Sequence, residues 1–194
     1  MKRFDVQVCG AGIVGQCLAL SMARLGLQVA LRPQVAAAQA PAVDDVRAYA
    51  LNAASVALLQ RLKVWDALPA HAATQVLDMH VQGDAPGAAL DFSAWQQRVG
   101  ALAWITDAAA LERQLGAAVR FAPHITIIDA VDPAHADDLT TGTPAALTAL
   151  CEGKASATRT ALGIGFERHA YGHQAIAARL TSTQIGRASC RERV

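Results

Sequence analysis

No apolar run in this 194-residue chain reaches the roughly 18 residues that a membrane-spanning helix needs. The 53% hydrophobic content is inflated by alanine, which fits an alanine-rich α/β protein. A signal peptide is also missing. Met1-Lys2-Arg3 is basic, but a strand and a glycine turn follow it, not an apolar h-region. These absences predict a cytoplasmic protein. The four cysteines, Cys9, Cys17, Cys151 and Cys190, lack Cys-x-x-Cys or Cys/His ligand spacing, so reduced thiols and no metal are expected. Six histidines are scattered without ligand spacing, and His80, His124 and His173, on or beside expected strands, read as structural. A formal net charge of +1 gives no reason to expect nucleic acid. Internal repeats are absent, and so is any acid–base or nucleophile constellation.

The informative stretch is Phe4 to Arg32, which reads as strand, glycine turn, helix, strand. Val6 and Val8 sit among strand formers. The run then stops at Gly10-Ala11-Gly12-Ile13-Val14-Gly15, a G-x-G-x-x-G placed where a dinucleotide site needs it. The first glycine allows the tight turn, the second lets a pyrophosphate approach the backbone, and the third lets helix and strand pack closely. The helix N-terminus supplies N–H groups and partial positive charge. Leu18, Met22 and Leu25 recur at helical spacing, Gly26 suits the helix end, and Leu27–Leu31 reads as the second parallel strand.

One part of the fingerprint is missing. A carboxylate is expected about 20 residues on, to hold the adenosine ribose. The chain reads Leu31-Arg32-Pro33 there, with no acid before Asp44 and Asp45. Arg32 suits either a 2′-phosphate, hence NADP, or a solvated strand end.

Beyond a Pro/Ala/Gln-rich surface loop to about Val43, Asn52 is a good N-cap for a helix from Ala53 to Lys63 with Val56, Leu59 and Leu62 as its stripe. Val64–Leu68 continues it until Pro69. Strands are expected at Val76–Val81 and Ala88–Phe92, joined as a hairpin, and at Gly100–Ile105. Thr106 or Asp107 caps a helix containing Leu111 and Leu115. His124–Asp129 and Ala146–Cys151 read as strands, with a polar loop over Val131–Pro144 between them. Trp65, Trp95 and Trp104 are expected in core packing.

The last ten residues, Ile185–Val194, change composition abruptly and match a translation of a common sequencing adapter. The native sequence is therefore expected to break off near Thr183. Without Arg187, Arg191, Arg193 and Glu192 the formal charge passes from +1 to −1.

Three blocks carry a family resemblance: Gly10–Gly15; Arg47-Ala48-Tyr49-Ala50-Leu51-Asn52 with Leu62–Asp66; and Cys151-Glu152-Gly153-Lys154-Ala155-Ser156-Ala157-Thr158-Arg159, followed by Leu162-Gly163-Ile164 and Tyr171–Ile176. In this order the chain resembles the ubiquinone-biosynthesis hydroxylase family of FAD-dependent aromatic monooxygenases, over residues 4–180. The resemblance implies an α/β fold: a doubly wound Rossmann-type FAD-binding domain with parts of an inserted, incomplete β-rich substrate domain. Residues 1–74 and 106–165 would form the first and second parts of the FAD-binding domain, and 75–105 a substrate-domain hairpin excursion. Residues 166–183 would start the substrate sheet, with Tyr171–Leu180 as an edge strand, and 184–194 would be the non-native tail.

The resemblance further implies FAD as cofactor, NAD(P)H as electron donor, O2 as co-substrate, and a small aromatic substrate, prenylated or not. A truncated chain would be inactive. Cofactor contacts carry over to Gly10, Ala11, Gly12, Ile13, Val14 and Gly15, with Arg32 at the strand end. Arg47 would lie near the flavin or its phosphates; its alternative is a surface pair with Asp44 or Asp45. The later motif is usually Asp-Gly with Ser and Arg; here it is Glu152-Gly153 with Ser156 and Arg159, beside the flavin and the approach of NAD(P)H. The alternative there is a strand-to-turn corner enabled by Gly153. A long isoprenoid substrate implies peripheral association with a membrane or a biosynthetic complex. Two other classes compete: an NAD(P)-dependent Rossmann dehydrogenase, and a non-catalytic nucleotide-binding module.

Overall fold

The structure is a computed structural model, and it describes residues 3–33, 45–128, 144–172 and 178. Strand β1 (Phe4–Cys9) leads through the glycine turn into helix α1 (Ile13–Arg24) and strand β2 (Val29–Arg32). Strand β3 (Ala48–Leu51) precedes helix α2 (Ala53–Arg61), and two 3₁₀ turns, Trp65–Ala67 and Ala70–Ala72, flank Pro69. Strands β4 (Ala73–Val76), β5 (Asp78–Gln82) and β6 (Ala89–Ser93) follow, then the short helix α3 (Ala94–Gln97). Next come strand β7 (Ala103–Asp107), helix α4 (Ala108–Phe121), strands β8 (Ile125–Ile127) and β9 (Ala145–Leu150), and helix α5 (Ala157–Ala161).

Four strands form a parallel sheet in the order β8-β2-β1-β9. Val6 pairs with Val29 on one side and Leu147 on the other. The chain leaves β1 towards β2 and returns on the opposite side through β9, so the strand order reverses at β1. In open α/β sheets, ligands bind beyond the carboxyl ends of the strands at such a reversal. Val6, Val8, Val29 and Leu31 meet Ala19, Leu20 and Ala23 of α1 and Leu111, Leu115 and Val119 of α4 in one buried core. A second sheet, antiparallel in the order β3-β7-β4, lies beside this unit, and β5 and β6 form a separate hairpin.

Local chemistry explains the element ends. Gly26 closes α1 with φ +81°. The Leu27 N–H donates to the Met22 carbonyl at 3.3 Å and the Gly26 N–H to that of Ala23 at 3.0 Å, a Schellman closure. Helix α2 ends the same way two residues earlier than expected, at Arg61. Lys63 takes the left-handed position, and the Val64 N–H reaches the Leu59 carbonyl at 3.0 Å. At its start the Asn52 side chain accepts from the Ser55 N–H at 2.8 Å, and Val56, Leu59 and Leu62 are buried as the periodicity predicts. Asp107, not Thr106, caps α4, accepting from the Ala110 N–H at 2.8 Å. Thr106 is buried in β7.

Several expectations need correction. The buried face of α1 is Ala19, Leu20 and Ala23, whereas Leu25 is 72% exposed; small residues let the helix lie close against sheet and α4. The strand expected at Val76–Val81 is broken at Leu77: Val76 ends β4, in the antiparallel sheet, while Met79 and Val81 belong to the hairpin opposite Phe92 and Leu90. The strand expected at Gly100–Ile105 is β7, starting three residues later at Ala103. Trp65 and Trp104 meet edge to face at 6.3 Å, but Trp95 is 88% exposed and outside the core. His80 is an exposed partner of Asp91 across the hairpin, at 2.5 Å, and His124 Nδ1 lies 2.9 Å from Gln28 Nε2. The loop at 131–143, Asp129, His173, and all of Tyr171–Leu180 except Tyr171, Gly172 and residue 178 lie outside the described residues. Among the described residues no helix is long and apolar enough to cross a membrane.

Among the described residues Cys9, Cys17 and Cys151 form no disulfide, and Cys190 lies outside them. Burial pushes the Cys17 thiol up from 9.0 to about 11. A thiol whose pKa is raised by folding stabilises the fold fully below its unfolded pKa and loses that contribution as pH rises through the folded value. The urea midpoint should therefore fall between pH 9.0 and about 11 more steeply in the parent chain than in Cys17→Ala. Parallel declines would contradict the burial of this thiol.

Candidate cofactor site

The glycine turn occupies the strand-order reversal. Gly10 takes φ +108°, which an L side chain rarely adopts. Its N–H donates to the Arg32 carbonyl at 2.8 Å, tying the turn to the end of β2. A Cβ at Gly10 would collide with the Cys151 carbonyl, lying 2.6 Å from its carbon. At Gly15 a Cβ would run into the Gly10 carbonyl oxygen and come within 3.3 Å of the Cys151 Cβ. These two glycines are required by the fold itself: one lets β9 approach the turn, the other seats α1 on it.

Gly12 differs. Its backbone, at φ −73° and ψ −178°, suits any residue, and a Cβ there would meet nothing within 4 Å. Gly12 is also the N-cap of α1, and as a glycine it brings no side chain to cap that helix. The Gln16 N–H makes the first helical bond, to the Gly12 carbonyl at 2.9 Å. The N–H groups of Ile13, Val14 and Gly15 precede it at an open, partially positive helix end. Of these three residues Val14 is 69% exposed and Ile13 half-buried, while Gly15 is buried. A diphosphate fits this turn: Gly12 leaves the space that a Cβ would fill, and the uncapped helix end provides donors.

The other expected residues surround the turn unequally. Arg32 ends β2 opposite Cys9, at the same sheet end. There burial pushes the Cys9 thiol up, and the Gln7 hydrogen bond and the positive charge of Arg32 oppose it only in part. Glu152 and Gly153 follow β9 after one residue, Cys151. Gly153 takes φ +76°, which fits the strand-to-turn corner. The Glu152 carboxylate accepts from the hydroxyls of Ser156, at 2.5 Å, and Thr158, at 2.8 Å. Ser156 Oγ in turn accepts from the Arg159 N–H at 3.0 Å and starts α5. The extra methylene of glutamate thus reaches the chain's own helix start.

Arg47 forks onto Asp45, Nε to Oδ1 at 2.8 Å and Nη2 to Oδ2 at 2.7 Å, the surface pairing weighed as the alternative to a flavin contact. This hydrogen-bonded pairing raises the guanidinium pKa further. Nη2 also lies 3.4 Å from Glu112 Oε1, and Nη1 donates to the Tyr49 hydroxyl at 3.4 Å. The Ala108 N–H donates to the Arg47 carbonyl at 3.1 Å, which pins the arginine beside the first turn of α4. Asp45, Glu112, Arg113 and Gln16 then line a cleft of about 660 Å³. Because Gln16 directly follows Gly15 in α1, this cleft adjoins the turn. Sequence reasoning missed Glu112 and Gln16. Glu112 is 65 residues from Arg47, and the β3–β7 pairing, with the Ala108–Arg47 backbone bond that continues it, brings them together.

A second cleft, of about 540 Å³, lies beyond the Glu152-Gly153 corner. Lys154, Arg159 and Arg168 line it, no acidic residue among the described ones does, and the Arg159 guanidinium lies 4.1 Å over the Phe166 ring.

The chain is 41% identical to 3-demethoxyubiquinol 3-hydroxylase of Escherichia coli (strain K12) over 68 residues, 34% of this chain and 17% of that protein. Among solved structures it resembles Pseudomonas aeruginosa PqsL in complex with 2-aminobenzoylacetate, with TM-score 0.51 and 18% identity, covering 66% of this chain and 34% of PqsL. It is also similar to p-nitrophenol 4-monooxygenase PnpA from Pseudomonas putida DLL-E4, with TM-score 0.49 and 18% identity, covering 66% of this chain and 32% of PnpA. The chain thus spans about a third of those structures and a sixth of the hydroxylase. The FAD binding domain model matches residues 3–187, nearly the whole length. By that match the chain belongs to the FAD-binding domain family.

Proposed function

We propose that this chain is the cofactor-binding part of an FAD-dependent monooxygenase that hydroxylates an aromatic ring in ubiquinone biosynthesis. The observation that carries the cofactor reading is the open space at Gly12 before an uncapped α1. The similarity to 3-demethoxyubiquinol 3-hydroxylase supports the substrate class: an electron-rich, prenylated phenol. Family membership favours FAD over a nicotinamide dinucleotide at the turn, and so displaces the dehydrogenase reading that Arg32 suggested.

In this reading the backbone of Gly10–Gly15 holds the pyrophosphate, and Arg32 stands near the adenosine ribose. Arg47 adds positive charge to the phosphates, and the Glu152-Gly153 corner closes the flavin end. FAD, when bound, supplies the reaction of O2 with the aromatic ring; the protein's task is to orient it and exclude water. The cationic cleft of Lys154, Arg159 and Arg168 supports NAD(P)H as donor, because its phosphates need such charge. The prenylated substrate favours peripheral association with a membrane or a biosynthetic complex.

The test is reconstitution of the complete protein with FAD, NADPH, O2 and a demethoxyubiquinol-type phenol, reading NADPH consumption and product mass. A product gaining one oxygen atom is expected, while residues 1–194 alone should hold FAD weakly and form no product. Hydride transfer to NADP without bound flavin would overturn the proposal in favour of a dehydrogenase.

A further inference from the structure

The Arg47 cluster has an electrostatic property that the cofactor reading does not use. A guanidinium offers five N–H donors along two forks. Asp45 takes the side fork, Nε with one Nη2 hydrogen, in short charge-assisted bonds of 2.8 and 2.7 Å. Among the described residues the end fork, formed by Nη1 and Nη2, meets only long contacts: the Tyr49 hydroxyl and Glu112 Oε1, both at 3.4 Å. Glu112 is 40% exposed, and its backbone is fixed in α4, so its carboxylate can turn to solvent without disturbing the fold. Asp45 and Glu112 both face the one guanidinium of Arg47, while Arg113 and Arg120 line the adjoining cleft, so a carboxylate that leaves Arg47 opens a cationic position to an anion.

We propose that Glu112 is a placeholder for cofactor phosphate: its carboxylate occupies the end fork of Arg47 while the site is empty and is displaced when the FAD diphosphate arrives. Asp45 keeps its fork throughout and aims the guanidinium. The inference rests on the reading of Arg47 as a phosphate contact. It adds that this chain sets its FAD affinity through a competing carboxylate on α4, beside the cleft that adjoins the glycine turn.

The experiment is FAD titration of chain 1–194 by flavin fluorescence at low and high salt, with parent, Glu112→Gln, Arg47→Ala and the double variant. Glutamine keeps the shape and removes the charge. Glu112→Gln should tighten FAD about threefold to tenfold at low salt, with the gain shrinking as salt screens the charges. Arg47→Ala should weaken FAD about tenfold, as expected for one lost charge-assisted contact. In the Arg47→Ala background, Glu112→Gln should have less than about a third of its effect, because the competition requires the arginine. Thermal midpoints should match, since an exposed pair adds little stability. If Arg47→Ala leaves affinity unchanged, the phosphate reading of Arg47 fails, and the placeholder with it. If Arg47→Ala weakens binding while Glu112→Gln does not tighten it, or tightens it equally without Arg47, that reading survives and the placeholder is overturned. Failure of every variant to bind FAD overturns both.

Discussion

Gly12→Val is expected to leave the fold standing and remove FAD binding. The backbone at Gly12 lies in the extended region open to every residue, and a Cβ there meets nothing within 4 Å. The folded chain therefore loses little: valine is a poorer N-cap than glycine, at a cost of about 1 kcal/mol or less. Two added methyl groups would stand where a diphosphate must approach the N–H groups of α1. Losing two or more charge-assisted hydrogen bonds there amounts to about 3 kcal/mol or more, so affinity should drop roughly a hundredfold. Circular dichroism melts and FAD fluorescence titration read the two effects separately. Unchanged FAD affinity in a folded variant would remove the turn from the site.

Gly15→Ala should have the opposite profile and damage the fold first. Its Cβ would fall on the Gly10 carbonyl oxygen, 2.9 Å from that carbonyl carbon, in the buried seam between β1, β9 and α1. No flexible side-chain end can yield there; backbone has to move. Overpacking of this kind costs about 3 kcal/mol or more, a large share of the roughly 5–15 kcal/mol that holds a domain together. The urea midpoint should fall sharply, with or without FAD. A midpoint within experimental error of the parent would show that α1 does not sit on the turn as described. The contrast between the variants separates a glycine needed by the ligand from one needed by the chain.

The sequence announces features whose cause is local. The β1–turn–α1–β2 unit could be read because strand formers, three spaced glycines and a helical stripe follow one another, and Gly26 marks the helix end. Asn52 and Val56, Leu59 and Leu62 were legible for the same reason, since caps and 3.6-residue periodicity act within a few residues. Strand β3 was not. Ala48-Tyr49-Ala50-Leu51 has little strand preference of its own, and it is held by pairing with β7, more than fifty residues away. The break at Leu77 was equally hidden, because an unbroken run of strand formers cannot show that its two halves join different sheets.

The site divides along the same line. The roles of Gly10 and Gly15 in the turn follow from the motif spacing, and the chain's contacts give each a steric cause. Arg47 was legible as a residue of interest, with Asp45 as its rival partner. That Glu112 shares the cluster depends on α4 packing beside β3, which no local pattern encodes. At Glu152 the carboxylate turns to Ser156 and Thr158 because its extra methylene spans the distance to the start of α5. That reach depends on the Gly153 corner, at φ +76°.

The central claim is that the backbone of the glycine turn receives the cofactor diphosphate. The most direct measurement is backbone amide NMR of the isotope-labelled chain titrated with FAD. The account predicts that the largest shift changes fall on the amides of Ala11 to Gln16, with smaller ones at Gly153. FAD-dependent shifts confined to other parts of the chain, with Ala11–Gln16 unmoved, would contradict it.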